Sequence, residues 1–252
     1  MAKVANSRTR LDELLVRRGM IASRSRARDA ILRGTVSVGG VLATKPGQEV
    51  ADAADLTVND PASSYVSRAA LKLIAGLDAF GLNPAGALAL DLGASTGGFT
   101  QVLLERGAAH VIAIDVGHGQ MDERLRTDPR VTCLEGINAR ELTASHLDGR
   151  SPNIIVSDMS FISLRLAMPP ALTLAEAGAA CLLLIKPQFE IGRDGIGKGG
   201  LLKNPADAPR VAEDIRQWLD GFPGWRALGL IPSPVKGGDG NVEFLLAGRK
   251  DR

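Results

Sequence analysis

The sequence predicts a doubly wound α/β domain preceded by a small α+β domain. From residue 65 onward, helical stretches alternate with apolar strands. Most of the early strands are uninterrupted apolar runs, as expected of parallel strands covered by helices on both faces. The first 60 residues combine two short helical patterns with a hairpin signal. At 252 residues the chain is long enough for two domains, and we expect them at residues 1–60 and 65–252.

The N-terminal domain is predicted to contain two helices followed by a hairpin. The first helix spans residues 10–18, with three leucines on one face. The second spans residues 24–33, where Ser23 suits the N-cap and Gly34 ends the helix. Gly39-Gly40 lies between two short β-prone runs, residues 35–38 and 41–43, and predicts a tight turn.

The second domain begins after a predicted linker at residues 59–64, which contains Pro61 and two serines. A helix is predicted at residues 67–80, with Ser67 as its cap. Seven strands follow, at residues 87–92, 111–116, 131–134, 154–157, 180–185, 227–231 and 242–247. In a doubly wound sheet, ligands bind at the carboxyl ends of the strands.

Charge is distributed unevenly along the chain. Residues 1–45 carry ten basic and three acidic groups, a net +7, whereas the whole chain is only +2. A basic N-terminal segment on an otherwise mildly acidic chain is typical of nucleic-acid binding, although a solvated helix face has the same composition. The candidate RNA-binding side chains are Arg10, Arg17, Arg24, Arg28 and Arg33, of which Arg24 and Arg28 share one helical face.

Composition also argues against several classes of protein. Cys133 and Cys181 lie far apart in apolar runs and are expected to be buried free thiols. The three histidines have no metal-ligand spacing, so we expect no metal. The N-terminus lacks the apolar region of a secretory signal, and no apolar run is long enough to span a membrane. We therefore expect a cytoplasmic protein that does not act at membranes.

A glycine-rich loop carries the strongest signal in the sequence. Residues 91–100, DLGASTGGFT, join the first predicted sheet strand to a helix. The glycines allow a tight turn and close approach to a ligand. A carboxylate at Asp91 suits a cofactor with a cationic amino-acid end, which favours S-adenosylmethionine over NAD and leaves an NAD enzyme as an alternative. Two residues beyond the loop are also candidates: Asp115 would hold the ribose hydroxyls of the cofactor, and Asn138 would contact its adenine. The candidate cofactor residues are therefore Asp91, Gly93, Ser95, Thr96, Gly97, Gly98, Phe99, Asp115 and Asn138.

Two other glycine patterns carry less weight. Residues 195–200 match a dinucleotide-binding pattern, but no strand and helix flank them, so we interpret them as a flexible loop. Residues 192–198 resemble a phosphate-binding loop, but Gly199 stands where Ser or Thr is required.

Four charged residues stand at the ends of predicted elements or interrupt them. Lys72 is in the helix before the sheet, Asp158 and Lys186 end the fourth and fifth strands, and Glu243 lies in the last strand. Each alone could be a solvated strand end. Together, at the ligand-binding edge, they form an alternating acid–base set that indicates a catalytic site.

These residues carry a family resemblance. Residues 91–100 with Lys72, Asp158, Lys186 and Glu243 resemble the FtsJ-like RNA ribose 2′-O-methyltransferases, which use a Lys-Asp-Lys-Glu tetrad. Residues 10–40 look like an S-four RNA-binding domain. The two in this order resemble the TlyA (hemolysin A) family, over nearly the whole chain. Ser95 departs from the commonest methyltransferase loop, which has a glycine at that position.

The resemblance implies a Rossmann-like methyltransferase domain that uses S-adenosylmethionine. The implied reaction is 2′-O-methylation of cytidine in ribosomal RNA, with ribosomal RNA or ribosomal subunits as partners and no obligate protein partner. Lys186 would be the central base or hydroxyl-orienting group, and Asp158 and Glu243 would hold the lysines in place. Two alternatives remain open at this stage, a membrane-acting hemolysin and a non-enzymatic RNA-binding protein.

Overall fold

The computed structural model describes residues 7–238 and 240–251. The chain divides after Ser64 into two compact units. The N-terminal unit contains helices α1 (Leu11–Arg17) and α2 (Arg24–Leu32) and the short strands β1 (Arg8–Arg10), β2 (Val36–Val38), β3 (Val41–Leu42), β4 (Glu49–Ala51) and β5 (Leu56–Val58). Strand β1 pairs with β4, while β3, β2 and β5 form a second antiparallel sheet in that order.

The predicted elements of the N-terminal unit are confirmed. Leucines 11, 14 and 15 are buried in one cluster with Ile31 and Val36. The Ser23 side chain accepts a hydrogen bond from the Arg26 amide, as expected of the N-cap of α2. Gly39 and Gly40 have φ of 57° and 80° between β2 and β3, the left-handed conformation that a two-residue hairpin turn requires. Strands β1, β4 and β5 were not predicted, because each has only three residues and, unlike β2 and β3, none adjoins a two-glycine turn.

The second unit is built on one seven-stranded sheet. Its strands are β6 (Leu88–Leu92), β7 (His110–Asp115), β8 (Val131–Glu135), β9 (Ile154–Ser157), β10 (Ala180–Ile185), β11 (Trp225–Pro232) and β12 (Phe244–Lys250). Its helices are α3 (Ala70–Phe80), α4 (Gly98–Glu105), α5 (Glu123–Arg126), α6 (Leu164–Ala167), α7 (Pro169–Leu174), α8 (Pro187–Glu190) and α9 (Ala208–Asp220). Short 3₁₀ turns lie at Ala139–Glu141, Ala144–Leu147, Arg193–Gly195, Lys198–Gly200 and Pro205–Asp207.

The strand order is β11-β12-β10-β9-β6-β7-β8. Strands β10, β9, β6, β7 and β8 are parallel, and β12 is antiparallel to both β10 and β11. Alternate strand residues enter two hydrophobic clusters, one packed with α6, α7 and α9 and the other with α3 and α4. Both faces are therefore covered, which confirms the predicted doubly wound sheet.

The topology determines where a ligand can bind. Chain order reverses between β6 and β9, which pair directly with Leu92 opposite Ser157. The carboxyl ends of these two strands form the switch point of the sheet, the usual place for a ligand in this architecture.

Two details of the prediction were wrong. The helix expected from Ser67 begins at Ala70, because the Ser67 hydroxyl accepts from the Ala69 amide in a preceding turn. Glu243 was expected inside the last strand but precedes β12. There the chain leaves a turn closed by the Gly237 amide and the Asn241 carbonyl, so regular pairing with β10 starts at Phe244.

Candidate active site

The loop after β6 has the backbone geometry that its glycines predict. Gly93 has φ of 79°, and a Cβ placed on it would lie 3.0 Å from the Cα of Met159. Gly97, with φ of 93°, starts α4. Ser95 itself adopts φ of 47°, and its amide donates to Asp115 Oδ2 at 2.8 Å. The serine thus occupies a left-handed position that glycine fills more easily, which accounts for the glycine that the commonest pattern has there.

Asp91 is a fully buried carboxylate with one unsatisfied oxygen. Its Oδ2 accepts a hydrogen bond from Thr100 Oγ1 at 2.7 Å, whereas Oδ1 is buried without a partner among the described residues. Burial raises the pKa of Asp91 to about 7, although the Thr100 hydrogen bond opposes the shift, and the nearby Asp158 carboxylate adds to it. A buried hydrogen-bond acceptor of this kind is suited to a positively charged hydrogen-bond donor.

Asp115 and Asn138 line a cleft beside this loop. Asp115 ends β7 and accepts backbone hydrogen bonds from Ser95 and Gly117, at 2.8 and 2.7 Å. Asn138 caps a 3₁₀ turn, where its Oδ1 accepts from the Arg140 amide at 3.1 Å. Both side chains therefore have structural partners in addition to their place in the cleft wall.

The four charged residues that the sequence singled out as a catalytic set form two ion pairs. Lys72 Nζ lies 2.6 Å from Glu243 Oε2, and the two side chains are only 6% and 2% exposed. Lys186 Nζ lies 2.6 Å from Asp158 Oδ1 and donates to Ser160 Oγ at 2.8 Å. Lys186 and Asp158 directly follow the neighbouring parallel strands β10 and β9, and Glu243 directly precedes β12, on the other side of β10. The sheet therefore brings three of the four residues to one edge, and α3 adds Lys72.

Two adjoining cavities occupy this edge of the sheet. The larger, about 930 Å³, is lined by residues of the glycine loop, by Asp115 and Asn138, and by the segment after β9. The smaller, about 170 Å³, is lined by Thr96, Gly98 and Phe99 of the loop together with Lys186. Gly93, Ser95, Asp158 and Ser160 line both cavities. Lys186 and the glycine loop therefore face the same small space.

Several residues of this site were not identified from the sequence. Ser160 is a hydrogen-bond partner of Lys186. Phe161 is 89% exposed with φ of 66°, and its ring centroid lies 5.1 Å from that of Phe189. Glu190 binds Ser163 and the amide of Leu164. The positions of Ser160 and Phe161 directly after Asp158 were a usable signal, but the backbone conformation of Phe161 could not be read from residue type.

In the N-terminal unit, most of the candidate RNA-binding arginines make ion pairs. Arg10 binds the buried Asp12, Arg17 binds Asp52, and Arg33 bridges Asp29 and Asp60. Arg24 has a longer contact, 3.5 Å to Asp12, and its side chain is 55% exposed. Arg28 is exposed, and none of the ion pairs in the described part of the chain involves it. Lys3, one of the ten basic residues, lies outside the described residues.

Both cysteines are free thiols, as predicted. Cys181 is buried, but the prediction that Cys133 is buried was wrong: it lies on the edge strand β8 and is half-buried. Within residues 7–238 and 240–251, no three His, Cys, Asp or Glu side chains are arranged to hold a metal ion. None of the helices in the same residues combines the length and apolar character that crossing a membrane requires.

Comparison with known proteins agrees with this geometry. The FtsJ-like methyltransferase family matches residues 65–250, and the S4 domain family matches residues 9–55. The 16S/23S rRNA (cytidine-2′-O)-methyltransferase TlyA of Mycobacterium tuberculosis is 45% identical over 95% of this chain and 89% of its own. Hemolysin A of Brachyspira hyodysenteriae is 38% identical over 94% and 98%. A solved structure from Streptococcus thermophilus that carries the name hemolysin is 35% identical, with a TM-score of 0.75 over 98% and 90% of the two chains.

The second unit is thus an FtsJ-like methyltransferase domain, preceded by an S4 domain. The chain belongs to the TlyA family. The resemblance inferred from the sequence motifs is confirmed.

Proposed function

We propose that this protein transfers a methyl group from S-adenosylmethionine to the ribose 2′-hydroxyl of cytidine in ribosomal RNA. The observation that carries the proposal is the small cavity shared by the glycine loop and Lys186. Methyl transfer needs the acceptor hydroxyl and the methyl donor at one point, since correct alignment supplies much of the rate. Residues 1–60 would bind RNA, and residues 65–252 would carry out the chemistry.

The residues around the glycine loop fit S-adenosylmethionine. The unpartnered Oδ1 of Asp91 is an acceptor for the ammonium group of the amino-acid end. Gly93 lines both cavities, so a ligand there can approach its main chain without an intervening side chain. Asp115 suits the ribose hydroxyls, and Asn138, on the far wall of the cleft, suits the adenine. When bound, the cofactor supplies an electrophilic methyl group on a sulfonium.

Lys186 is proposed to orient the acceptor hydroxyl. Its Nζ forms an ion pair with Asp158 Oδ1 and donates hydrogen bonds to Ser160 Oγ and, at 3.3 Å, to the Asp158 carbonyl, so these groups fix the direction of the amine. A hydrogen bond from Nζ to the ribose oxygen would orient the acceptor hydroxyl. Methylation of that oxygen requires its proton to leave, and the Asp158 carboxylate would be available to receive it.

The pair of Lys72 and Glu243 is proposed to support this arrangement. Both side chains are buried, and a buried charge requires a partner. Glu243 directly precedes β12, whose Phe244 pairs with Ile185, the residue before Lys186. The pair therefore fixes the chain beside Lys186.

The cleft wall also suits an RNA substrate. Exposed aromatic side chains stack on unpaired bases, and Phe161 with Phe189 offers such a surface near Lys186. Two exposed arginines, Arg140 and Arg193, also line the cleft and suit phosphate contacts. The TlyA relative at 45% identity is named for cytidine in 16S and 23S rRNA, which supports this substrate.

The proposal is tested with purified protein, isotope-labelled S-adenosylmethionine and ribosomal subunits. After digestion to nucleosides, mass spectrometry should find the label in 2′-O-methylcytidine, and K186A protein should give none above background. Label in a base-methylated nucleoside, or none with the wild-type protein on either subunit or on free ribosomal RNA, would refute the proposal.

A further inference from the structure

Two chain segments meet at the catalytic edge of the sheet. Residues 158–164 follow β9, and residues 186–190 follow the neighbouring strand β10. Their first contact is made by Lys186, which binds Asp158 Oδ1 and Ser160 Oγ at 2.6 and 2.8 Å. The position of the Lys186 amine therefore depends on the conformation of residues 158–160.

A second contact joins the far ends of the same segments. Glu190 Oε2 accepts a hydrogen bond from Ser163 Oγ at 2.6 Å, and Glu190 Oε1 accepts one from the Leu164 amide at 2.8 Å. Lys186 and Glu190 are thus four residues apart on one segment and hold opposite ends of the other. Most of the Glu190 side chain is buried, and this burial raises the pKa of its carboxyl.

The residues between the two contacts need such support. Phe161 has φ of 66°, a left-handed conformation that is unfavourable for a bulky residue and persists only when its surroundings impose it. Its ring is 89% exposed, so core packing does not hold it. The start of the segment is held by the hydrogen bond from the Asp158 amide to the Leu92 carbonyl, and the rest is constrained by Lys186, Glu190 and the neighbouring ring of Phe189.

We infer that Glu190 is a positioning residue for methyl transfer. By binding Ser163 and Leu164, it fixes the end of the 158–164 segment and so keeps Asp158 and Ser160 in place around Lys186. This inference rests on the proposed role of Lys186. It adds a residue outside the tetrad, and outside the cofactor loop, on which the rate of the chemical step depends.

Amide and alanine substitutions separate this role from simple loss of charge. In E190Q, the amide oxygen still accepts from Leu164, and the amide NH₂ can donate to the Ser163 hydroxyl. E190A removes both hydrogen bonds. S163A removes one of them, together with the hydrogen bond that the Ser163 hydroxyl accepts from the Arg165 amide at the start of α6, and it leaves the Leu164 amide bond to Glu190. Glu176 is an exposed residue in the turn before β10, and E176A is the matched control.

The measurement is the single-turnover rate of ribose methylation at saturating concentrations of S-adenosylmethionine and ribosomal RNA. Each rate is divided by the concentration of protein that binds S-adenosylmethionine. We expect E190A to be slower than wild type by about 10- to 100-fold, since displacement of catalytic groups by about 1 Å has effects of that size. S163A should be slower by a smaller factor. E190Q should stay within about 3-fold of wild type. E176A should match wild type, and donor affinity should be unchanged in all four variants.

The outcomes distinguish the inference from the proposed function. An inactive wild-type protein would refute the proposed function itself. With an active wild type, an E190A rate equal to that of E176A would overturn the inference. An E190Q as slow as E190A would overturn it as well, because charge rather than the two hydrogen bonds would then matter. If E190A does not fold, S163A and E190Q decide, and S163A at the wild-type rate would overturn the inference.

Discussion

Asp91 Oδ2 accepts a hydrogen bond from Thr100 Oγ1 at 2.7 Å, while the other oxygen of the same carboxylate is buried without a partner. Thr100 lies in the helix that the glycine loop introduces, and Asp91 lies in the strand before it. The contact therefore ties the two ends of the loop together and leaves Oδ1 as the oxygen that is proposed to accept from the cofactor.

Donor affinity should depend on pH through Asp91. Burial raises its pKa to about 7, so an increasing fraction of the free protein carries a proton there as the pH falls below 7. An ammonium ligand prefers the ionised carboxylate, and binding at low pH must release that proton. The dissociation constant for S-adenosylmethionine should therefore rise by up to about 10-fold per pH unit below 7, as measured by calorimetry between pH 5.5 and 7.5.

The matched variants are D91N and D128N. D91N should bind donor weakly at pH 7.5 and lose the pH dependence, because the titrating group is gone. D128N, which changes a surface carboxylate paired with Arg130, should behave as wild type. A wild-type affinity that stays constant from pH 5.5 to 7.5 would show that Asp91 does not meet the donor cation.

Lys186 should matter for turnover rather than for binding. K186A should lower kcat by about 10²–10⁴-fold, because the hydroxyl-orienting group acts mainly in the transition state. Donor and RNA dissociation constants should stay within about 3-fold of wild type. The control is K198A, an exposed lysine in the 195–200 segment outside the cofactor loop, which should leave kcat unchanged. A K186A enzyme within a few-fold of wild type would remove Lys186 from the mechanism.

The Lys72–Glu243 pair should contribute to stability as well as to activity. K72M leaves Glu243 buried without a partner and should lower the free energy of unfolding by about 3–5 kcal/mol. The double variant K72M/E243M removes both charges and should regain most of that loss, yet remain slow in methyl transfer. Denaturant unfolding measures the first effect, with R106A, which breaks an exposed pair with Asp78, as the control. A loss below about 1 kcal/mol in K72M would contradict the buried pairing.

The sequence predicted the fold because its strands are continuous and apolar. Strands β9 and β10 were predicted to the residue, since runs such as ACLLLI have no polar interruption. Strands β1, β4 and β5 were missed because their pairing depends on residues about 20 to 40 positions apart in the chain. The boundary at Glu243 was misplaced because a turn and the ion pair with Lys72, neither of which is local in sequence, decide where β12 starts.

The candidate site was only partly predictable. Asp158, Lys186 and Glu243 could be selected as charges at or near strand ends and Lys72 as a charge in the preceding helix, but which lysine pairs with which carboxylate depends on strand order. Glu190 gave no signal, because its partners, Ser163 and Leu164, lie 27 and 26 residues away. The basic N-terminal segment was evident from composition, yet composition did not distinguish arginines bound to carboxylates from those exposed to solvent.

RNA binding should depend on Arg24 and Arg28 of α2. Arg10 and Arg33 are held by carboxylates, whereas Arg28 is exposed and Arg24 is held only loosely. R24E/R28E should weaken RNA binding and lower the slope of log affinity against log salt by about 1–2, because roughly one counterion is released per phosphate contact. Donor affinity should not change.

The matched control is R210E/R226E, which makes the same change of charge on the surface of the methyltransferase unit. It should bind RNA more strongly than R24E/R28E and keep the wild-type salt slope. The contrary result is that R24E/R28E binds and methylates ribosomal RNA as well as the wild type at every salt concentration. The two arginines would then be an ordinary solvated surface, and the proposed RNA-binding role of the N-terminal domain would be wrong.

The most direct test is a map of 2′-O-methylation across the ribosomal RNA of cells that have or lack this protein. The account predicts at least one cytidine whose ribose methylation disappears with the gene, returns with the wild-type chain and does not return with K186A. Identical maps in the presence and absence of the protein, or rescue by K186A, would contradict it.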